Sequence, residues 1–247
     1  NQRKYLISCY PTADFAFKSH SEALAEDVIK SDIIIGNIPY ELLKYAEKLK
    51  LLQLESAGTG EYIKDGILPQ ECILTNASGA YGLAISEYML GTTLMLFKNL
   101  HLYRDNQLKN IWEYRGSVSA ISGSVVLITG LGDIGSNFAK RVKLLGAYTI
   151  AVKRTADTKP DFVDELYTLD DFKKILPRAD ILALSLPDTP KTRKIINCET
   201  LNLMKSTSII INVGRGSAID TEALCDALEQ NQIAGAALDV TDPEPLP

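Results

Sequence analysis

A glycine-rich turn carries the clearest chemistry in the sequence. Gly130, Gly132 and Gly135 have the spacing G-x-G-x-x-G, directly after an apolar run and directly before an amphipathic segment. Such a turn lets backbone N–H groups at a helix start face a pyrophosphate, with the positive end of the helix dipole behind them. The alternative is a plain structural turn, but the strand–loop–helix setting predicts a dinucleotide site. The predicted contacts are Gly130, Gly132, Asp133, Ile134 and Gly135.

The end of the next apolar run bears on which dinucleotide is bound. NAD sites usually carry an acidic residue about 20 residues after the glycines. Here the run 148–152 ends in Lys153, Arg154 and Thr155. Two cations and a hydroxyl suit a 2′-phosphate, because they supply charge-assisted hydrogen bonds. We therefore predict NADP(H) as the preferred cofactor and NAD(H) as the alternative, unless the three residues form only a solvated basic turn.

The elements that would position these residues alternate along the whole chain. Short apolar runs separated by longer amphipathic segments predict parallel sheets covered by helices. The predicted strands are 5–7, 33–35, 51–54, 72–74, 125–129, 148–152, 181–186, 208–213 and 234–240. The predicted helices are 21–30, 41–50, 83–102, 134–145, 169–176, 198–204 and 221–230, the last with Asp220 as N-cap.

These two series predict an α/β protein with two doubly wound, Rossmann-like parallel-sheet domains. Residues 1–97 would form a flavodoxin-like substrate domain, and residues 98–247 a dinucleotide-binding domain, with the join near residues 98–122. The chain begins without Met and stops at a proline-rich run. We therefore expect a fragment that lacks its closing helix.

Composition excludes several other classes of protein. The 247 residues are 46% hydrophobic and 23% charged, with a net charge of −5, so no basic surface predicts binding to nucleic acid or to an anionic membrane. The four cysteines are far apart and lack metal-type spacing, which predicts buried thiols in a reducing cytoplasm and no metal site. No stretch is long and apolar enough for a membrane helix, and no signal peptide is evident.

Several segments, taken in order, resemble the D-2-hydroxyacid dehydrogenase family, which includes phosphoglycerate, glyoxylate/hydroxypyruvate and D-lactate dehydrogenases. The segments are Ser56-Ala57-Gly58, Ser86-Glu87-Tyr88, the glycine turn, Ala179-Asp180-Ile181-Leu182, Leu186-Pro187-Asp188-Thr189-Pro190, Ile211-Asn212-Val213-Gly214-Arg215-Gly216, Ala237-Leu238-Asp239-Val240 and Pro243-Glu244-Pro245. Together they span nearly the whole chain and are far more specific than the glycine turn alone.

The resemblance implies a role for particular residues. Arg215, between two glycines, would grip the carboxylate and carbonyl of a 2-keto acid, Asp239 would bind the nicotinamide carboxamide, and Glu244 would partner a catalytic histidine. Each has a plainer alternative: a surface arginine, a turn cap and an exposed loop glutamate. Further implied cofactor contacts are Leu186, Pro187, Thr192, Val213, Gly214 and Arg215. Implied substrate contacts are Ala57, Gly58, Tyr81 and Arg215, although Tyr81 could equally serve packing.

The histidine itself is missing from the matching position. The two histidines, His20 and His101, lie elsewhere, and the resemblance places the catalytic histidine after the Pro243–Pro245 segment, beyond Pro247. The predicted activity is reduction of a small 2-keto acid, such as glyoxylate or hydroxypyruvate, and the reverse oxidation of a D-2-hydroxy acid. The alternative is a nucleotide-sensing scaffold that resembles corepressors of the same fold. The resemblance also implies a homodimer, joined through the linking helix and residues 102–114.

Overall fold

The computed structural model describes residues 2–155 and 158–246. Contacts divide the chain into two compact units, with the division between Ala80 and Tyr81. The sequence instead placed the end of the first domain at residue 97. The difference concerns one helix, Gly82–Phe97, which packs against helix Asp133–Leu144 of the second unit and therefore belongs with it.

The first unit is a small parallel α/β structure. Its elements are α1 (Gln2–Cys9), α2 (Ala25–Lys30), β1 (Ile33–Ile35), β2 (Leu51–Gln53) and β3 (Ile73–Thr75), with 3-10 turns at His20–Glu22, Tyr40–Tyr45 and Gly60–Ile63. The strands lie in the order β1-β2-β3, and Leu52 is paired with both Ile34 and Leu74. Val28, Leu43, Leu52 and Leu54 form the centre of its core.

Two predictions for this unit are wrong in detail. Residues 5–7 lie in helix α1 rather than in a strand, and α1 buries none of its residues. An apolar triplet suits either conformation, and the Ser8 hydroxyl donates to the Tyr5 carbonyl within the helix (2.7 Å). The predicted helix 41–50 is a shorter 3-10 turn, because by Lys50 the chain is already bonded beside β1: the Lys50 N–H donates to the Asp32 carbonyl at 2.8 Å.

The second unit contains a six-stranded, fully parallel sheet. Its helices are α3 (Gly82–Phe97), α4 (Leu100–Leu108), α5 (Asp133–Leu144), α6 (Phe172–Ile175), α7 (Cys198–Leu201) and α8 (Thr221–Glu229). Its strands are β4 (Val125–Thr129), β5 (Tyr148–Val152), β6 (Glu165–Tyr167), β7 (Ile181–Leu184), β8 (Ile209–Asn212) and β9 (Gly235–Leu238). The strand order is β6-β5-β4-β7-β8-β9, so the direction of winding reverses between β4 and β7.

The doubly wound fold predicted for this half of the chain is confirmed. β7 and β8 are buried along their full length, as expected for parallel strands covered on both faces. The long predicted helix 83–102 is divided at Asn99, whose positive φ of 52° ends α3 and begins α4. Asp220 caps α8 as predicted, accepting the Ala223 N–H at 3.5 Å. None of the helices described is long and apolar enough to cross a membrane.

Candidate active site

The glycine turn follows β4 at the carboxyl end of the six-stranded sheet. Gly130 has φ +99°, and a Cβ there would stand 2.6 Å from the carbonyl oxygen of Ser185, beyond β7. A Cβ on Gly135 would overlap the Gly130 carbonyl oxygen and lie 2.9 Å from the Ser185 hydroxyl. A Cβ on Gly132 meets nothing within 4 Å. The fold therefore requires glycine at positions 130 and 135, whereas Gly132 leaves open space beside the backbone.

The start of α5 supplies backbone donors next to this space. Gly132 is its N-cap, and the first helical N–H groups have no partner within the helix. The Asp133 carboxylate is turned aside, since the Asn137 amide donates to it at 3.0 Å and a Cβ on Gly82 would overlap it. The positive end of a helix 12 residues long therefore faces the open position at Gly132.

Thr129, the last residue of β4, is fully buried directly before Gly130. Within the part of the chain that the structure describes, its hydroxyl has no hydrogen-bond partner. Leaving such a group unpaired costs about 1–3 kcal/mol, which is unusual in a packed strand. The open glycine and the helix start fit a dinucleotide phosphate at this edge, next to the buried Thr129.

The basic turn predicted to select the dinucleotide lies on the neighbouring strand. β5 pairs with β4, with Val152 beside Thr129, so Lys153 follows at the same edge of the sheet as the glycine turn. The Lys153 N–H donates to the Tyr167 carbonyl of β6 at 3.0 Å. Arg154 and Thr155 are exposed to solvent.

The loop after β7 is held by Thr192. This side chain is buried, accepts the Thr189 N–H at 2.9 Å and donates to the Pro187 carbonyl at 2.6 Å. Its hydroxyl thus shapes the loop that presents Leu186 and Pro187. Asp188 in the same loop binds Arg193 through two hydrogen bonds of 2.8 Å. That pair, with smaller contributions from Ser217 and the charge of Arg215, keeps the pKa of Asp188 below its usual range.

Arg215 projects from the loop after β8. Val213 and Gly214 before it are buried, and a Cβ on Gly214 would lie 2.7 Å from both the backbone N and O of Leu186. Arg215 itself is exposed, with Nη1 donating to the Gly214 carbonyl at 2.6 Å. The Asn212 amide donates to the Arg215 carbonyl at 3.0 Å.

Asp239 follows β9, the next strand in the sheet. Its N–H donates to the Asn212 carbonyl at 2.9 Å, and its side chain is exposed. Burial, and then the negative charge of Asp239, raise the pKa of Tyr88 on α3. Tyr88 was matched only as part of a family segment, so its position near Asp239 was not predicted from the sequence.

Glu244 lies on an exposed segment that passes beside the Arg215 loop. A Cβ on Gly216 would overlap the Thr241 carbonyl and stand 2.7 Å from the Asp242 N. The Thr221 hydroxyl donates to the Asp242 carbonyl at 2.6 Å and ties the segment to the start of α8. The structure thus brings the segment of Glu244 next to the loop of Arg215. His101 lies apart from these loops, on α4.

The predicted carboxylate loop lies in the first unit. The Asn76 amide donates to the Ala57 carbonyl at 2.7 Å, and the Ser56 hydroxyl donates to the Gly58 carbonyl at 2.8 Å. Among the residues described, the N–H groups of Ala57 and Gly58 donate to no acceptor. The carbonyls of this loop are therefore engaged while its N–H groups are available to an anion. Tyr81 lies in the second unit, before α3, and is 40% exposed.

Comparison with known proteins identifies the family. Residues 90–247 match the model of the D-isomer specific 2-hydroxyacid dehydrogenase, NAD binding domain. The chain belongs to this family. It is 30% identical over 222 residues to glyoxylate reductase from Thermofilum pendens, matching 87% of this chain and 65% of that protein. It is 30% identical over 229 residues to D-3-phosphoglycerate dehydrogenase from Methanocaldococcus jannaschii, matching 91% of this chain but only 44% of that protein.

Solved structures of the family share the whole fold. A D-isomer specific 2-hydroxyacid dehydrogenase family protein from Aeromonas salmonicida matches all of this chain and 79% of its own, with 29% identity and a TM-score of 0.87. A D-isomer specific 2-hydroxyacid dehydrogenase from Xanthobacter autotrophicus, in complex with NADPH and MES, matches 99% of this chain and 78% of its own, with 26% identity and a TM-score of 0.80. The predicted family, the predicted α/β fold and a nicotinamide dinucleotide as cofactor are therefore confirmed.

Sequence reasoning missed the asparagines that hold the candidate site loops. Asn212 is the last residue of β8 and Asn76 directly follows β3, and each bonds the backbone of a loop that carries predicted site residues. An asparagine directly after an apolar run, within a few residues of a predicted binding loop, was the available signal.

Proposed function

We propose that the protein catalyses the NAD(P)H-dependent reduction of a small 2-keto acid to a D-2-hydroxy acid, and the reverse oxidation. The observation that carries this proposal is that one edge of the six-stranded sheet collects the glycine turn, Arg215 and Asp239. A site in which a dinucleotide-binding turn adjoins an exposed arginine suits hydride transfer to an anionic carbonyl compound.

The family resemblance implies the roles of these residues, and their charges suit those roles. The planar guanidinium of Arg215 would pair with the substrate carboxylate and polarise its carbonyl, which favours negative charge developing on the carbonyl oxygen. Within the first unit, the available N–H groups of Ala57 and Gly58 would bind an anionic group of the substrate. Asp239 would accept from the nicotinamide carboxamide and so fix the ring. The bound dinucleotide supplies the hydride.

Glu244 is assigned to proton transfer through a partner. A carboxylate beside an imidazolium raises the pKa of the histidine and fixes its tautomer, so that a proton is held near neutral pH. The family resemblance places that histidine after the Pro243–Pro245 segment. We therefore assign the donor to a residue beyond Pro247 and assign no donor role to His20 or His101.

The test of this function is turnover by the full-length protein with Arg215 altered. We expect NADPH oxidation with glyoxylate or hydroxypyruvate, and Arg215→Lys should lower kcat/KM by roughly 100-fold because one point charge replaces the fork. Nucleotide affinity should change little. Nucleotide binding without turnover on any small 2-keto acid would instead favour the nucleotide-sensing scaffold, and loss of NADPH affinity in Arg215→Lys would place Arg215 on the cofactor.

We further propose that NADPH is preferred over NADH. Lys153 and Arg154 follow β5, where an acidic residue would repel a 2′-phosphate. Charge-assisted hydrogen bonds contribute about 1.5–3 kcal/mol each, and solvent and salt reduce this at an open rim. At low salt, NADPH should bind at least about tenfold more tightly than NADH, with the difference shrinking as salt rises.

Titration of nicotinamide fluorescence measures this preference. Lys153→Asp combined with Arg154→Ala should abolish or invert it. Lys173→Asp is the matched control, since Lys173 is an exposed cation on α6 that pairs with Glu199. Equal affinities in the unaltered protein would show that residues 153–155 form only a solvated turn.

A further inference from the structure

Asn212 occupies a central position at the carboxyl end of the six-stranded sheet. It is the last residue of β8 and is fully buried. Its Nδ2 donates to the Arg215 carbonyl at 3.0 Å, and its Oδ1 accepts the Gly214 N–H at 3.1 Å. Its own carbonyl accepts the Asp239 N–H at 2.9 Å. One residue therefore contacts both the loop of Arg215 and the end of β9.

We propose that Asn212 is a positioning residue that fixes the orientation of Arg215 relative to Asp239. This inference rests on the proposed function, because it assigns Asn212 to the same reaction. Asn212 touches neither substrate nor cofactor in this proposal. It acts through the backbone of the residues that do.

The guanidinium of Arg215 depends on a peptide group that lies between the two peptide groups bonded by Asn212. Arg215 Nη1 donates to the Gly214 carbonyl at 2.6 Å, so the side chain takes its direction from the Gly214–Arg215 peptide. The Asn212 amide bonds this dipeptide on both sides, through the N–H of Gly214 and the carbonyl of Arg215. A rotation of the peptide would redirect the guanidinium.

The Arg215 carbonyl also accepts the Ala218 N–H at 3.2 Å, so the contribution specific to the Asn212 amide is its bond from the Gly214 N–H together with the Arg215 carbonyl. A Cβ on Gly214 would stand 2.7 Å from the Leu186 backbone, and a Cβ on Gly216 would overlap the Thr241 carbonyl. These close approaches fix where the loop lies but supply no acceptor for the Gly214 N–H, which Asn212 Oδ1 accepts. A short side chain with both a donor and an acceptor meets that need, and asparagine has both.

The backbone hydrogen bond from Asp239 to Asn212 lets the proposal predict which kinetic and binding constants change. Substituting the side chain of Asn212 leaves its carbonyl in place, so Asp239 keeps its anchor while the Arg215 loop loses two bonds. The loss should therefore fall on steps that use Arg215 and spare binding of the dinucleotide. General loosening of the unit would reduce both.

The experiment uses the full-length protein with Asn212→Ala and Asn212→Ser. Asn212→Ala should lower kcat/KM for the keto acid by about 10- to 100-fold, since small misplacement of a catalytic group is costly. The Kd of NADPH should stay within about twofold. Asn212→Ser should be intermediate, because its hydroxyl can replace only one of the two bonds, and it keeps the test available if the alanine variant folds poorly.

Asn197→Ala is the matched control. The Asn197 side chain also bonds on both sides, donating to the Lys194 carbonyl at 2.9 Å and accepting the Thr200 N–H at 3.2 Å, but it caps α7. It should lower the melting temperature to a similar extent while leaving kcat and KM unchanged. If Asn212→Ala matches Asn197→Ala in all kinetic parameters, the positioning role is overturned.

A double-mutant cycle with Arg215→Lys separates positioning from general stability. Once Arg215 is replaced, its orientation no longer contributes, so Asn212→Ala should reduce kcat/KM much less than it does in the unaltered protein. Additive losses would overturn the inference. Absence of turnover in the unaltered protein would instead refute the proposed function, so the two failures are distinguishable.

Discussion

The two ends of the six-stranded sheet are built from different interactions. At the amino end, carboxylates bind several donors each: Asp180 accepts the Val125 N–H at 2.8 Å and Lys205 at 2.7 Å. At the carboxyl end, the same strands finish in glycines, an unpaired Thr129 hydroxyl and the exposed Arg215 and Asp239. The carboxylates named at the amino end are paired within the protein, whereas the Arg215 and Asp239 side chains at the carboxyl end are exposed to solvent.

The amino end is densest around Glu165 at the start of β6. Its carboxylate accepts two hydrogen bonds from Arg178, at 2.6 and 2.8 Å, and one each from Tyr148 and Tyr167, at 2.7 and 2.6 Å. Arg178 first, then Tyr167, lower the pKa of Glu165 to about 2. Because this cluster joins β5, β6 and the chain before β7, it ties the edge strand to the sheet.

This contrast indicates that the two ends of the sheet have different roles, one in stability and the other in ligand binding. Interactions at the amino end stabilise the fold and should be separable from ligand binding. Groups at the carboxyl end should affect binding more than stability, except where glycines hold two backbones together. Variants at each end test this division directly.

The largest effect is expected from Gly135→Ala. Its Cβ would overlap the Gly130 carbonyl and press on the Ser185 hydroxyl, so the turn and the start of α5 must separate. We expect a loss of about 1–3 kcal/mol in the free energy of unfolding, as for other overpacked sites, and loss of nucleotide binding. Urea unfolding and nicotinamide fluorescence measure the two effects.

Gly132→Ala is the matched variant in the same turn. Its Cβ has open space in the protein and its φ of −82° suits alanine, so stability should hold. Nucleotide affinity should still fall, by roughly tenfold or more, because the methyl group occupies the space proposed for phosphate. Unchanged affinity in Gly132→Ala would place the phosphates away from this turn.

The carboxyl end of this sheet is easier to predict from the sequence than the amino end. The glycine turn is visible from spacing alone, because its function depends on neighbouring residues in one loop. The Glu165 cluster joins Tyr148, Glu165 and Arg178, which come together only once β5, β6 and the chain before β7 are placed side by side. β6 itself was missed, since its three residues begin with a glutamate and form no apolar run.

The site residues show the same limit. Arg215 and Asp239 could be proposed because each follows a predicted strand within a family segment. The contacts of Asn212 could not be predicted, because an amide partner depends on the conformation of the loop rather than on residue type. The strand predicted at 5–7 was wrong for a related reason: three apolar residues do not determine periodicity, and the helix there buries none of them.

A smaller effect, confined to stability, is expected from Glu165→Gln at the amino end. The amide keeps the shape but loses the charge that Arg178 and the two tyrosines bind. The side chain is 22% exposed, so water reduces the benefit, and we expect a loss of about 1–2 kcal/mol at pH 7. Nucleotide affinity should be unchanged. Glu199→Gln, which removes an exposed pair with Lys173, is the matched control and should cost less than about 0.5 kcal/mol.

The pH dependence of the free energy of unfolding tests whether the charge of Glu165 is responsible for this effect. The pKa of Glu165 is about 2 in the folded protein and lies near 4.5 without its partners. The folded state therefore favours the ionised carboxylate, and its contribution is complete above the higher value and lost as pH falls toward the lower one. The difference in unfolding free energy between the unaltered protein and Glu165→Gln should shrink between pH 5 and pH 2. A difference that stays constant over this range would mean that shape rather than charge holds β6, and a change in nucleotide affinity would contradict the division between the two ends.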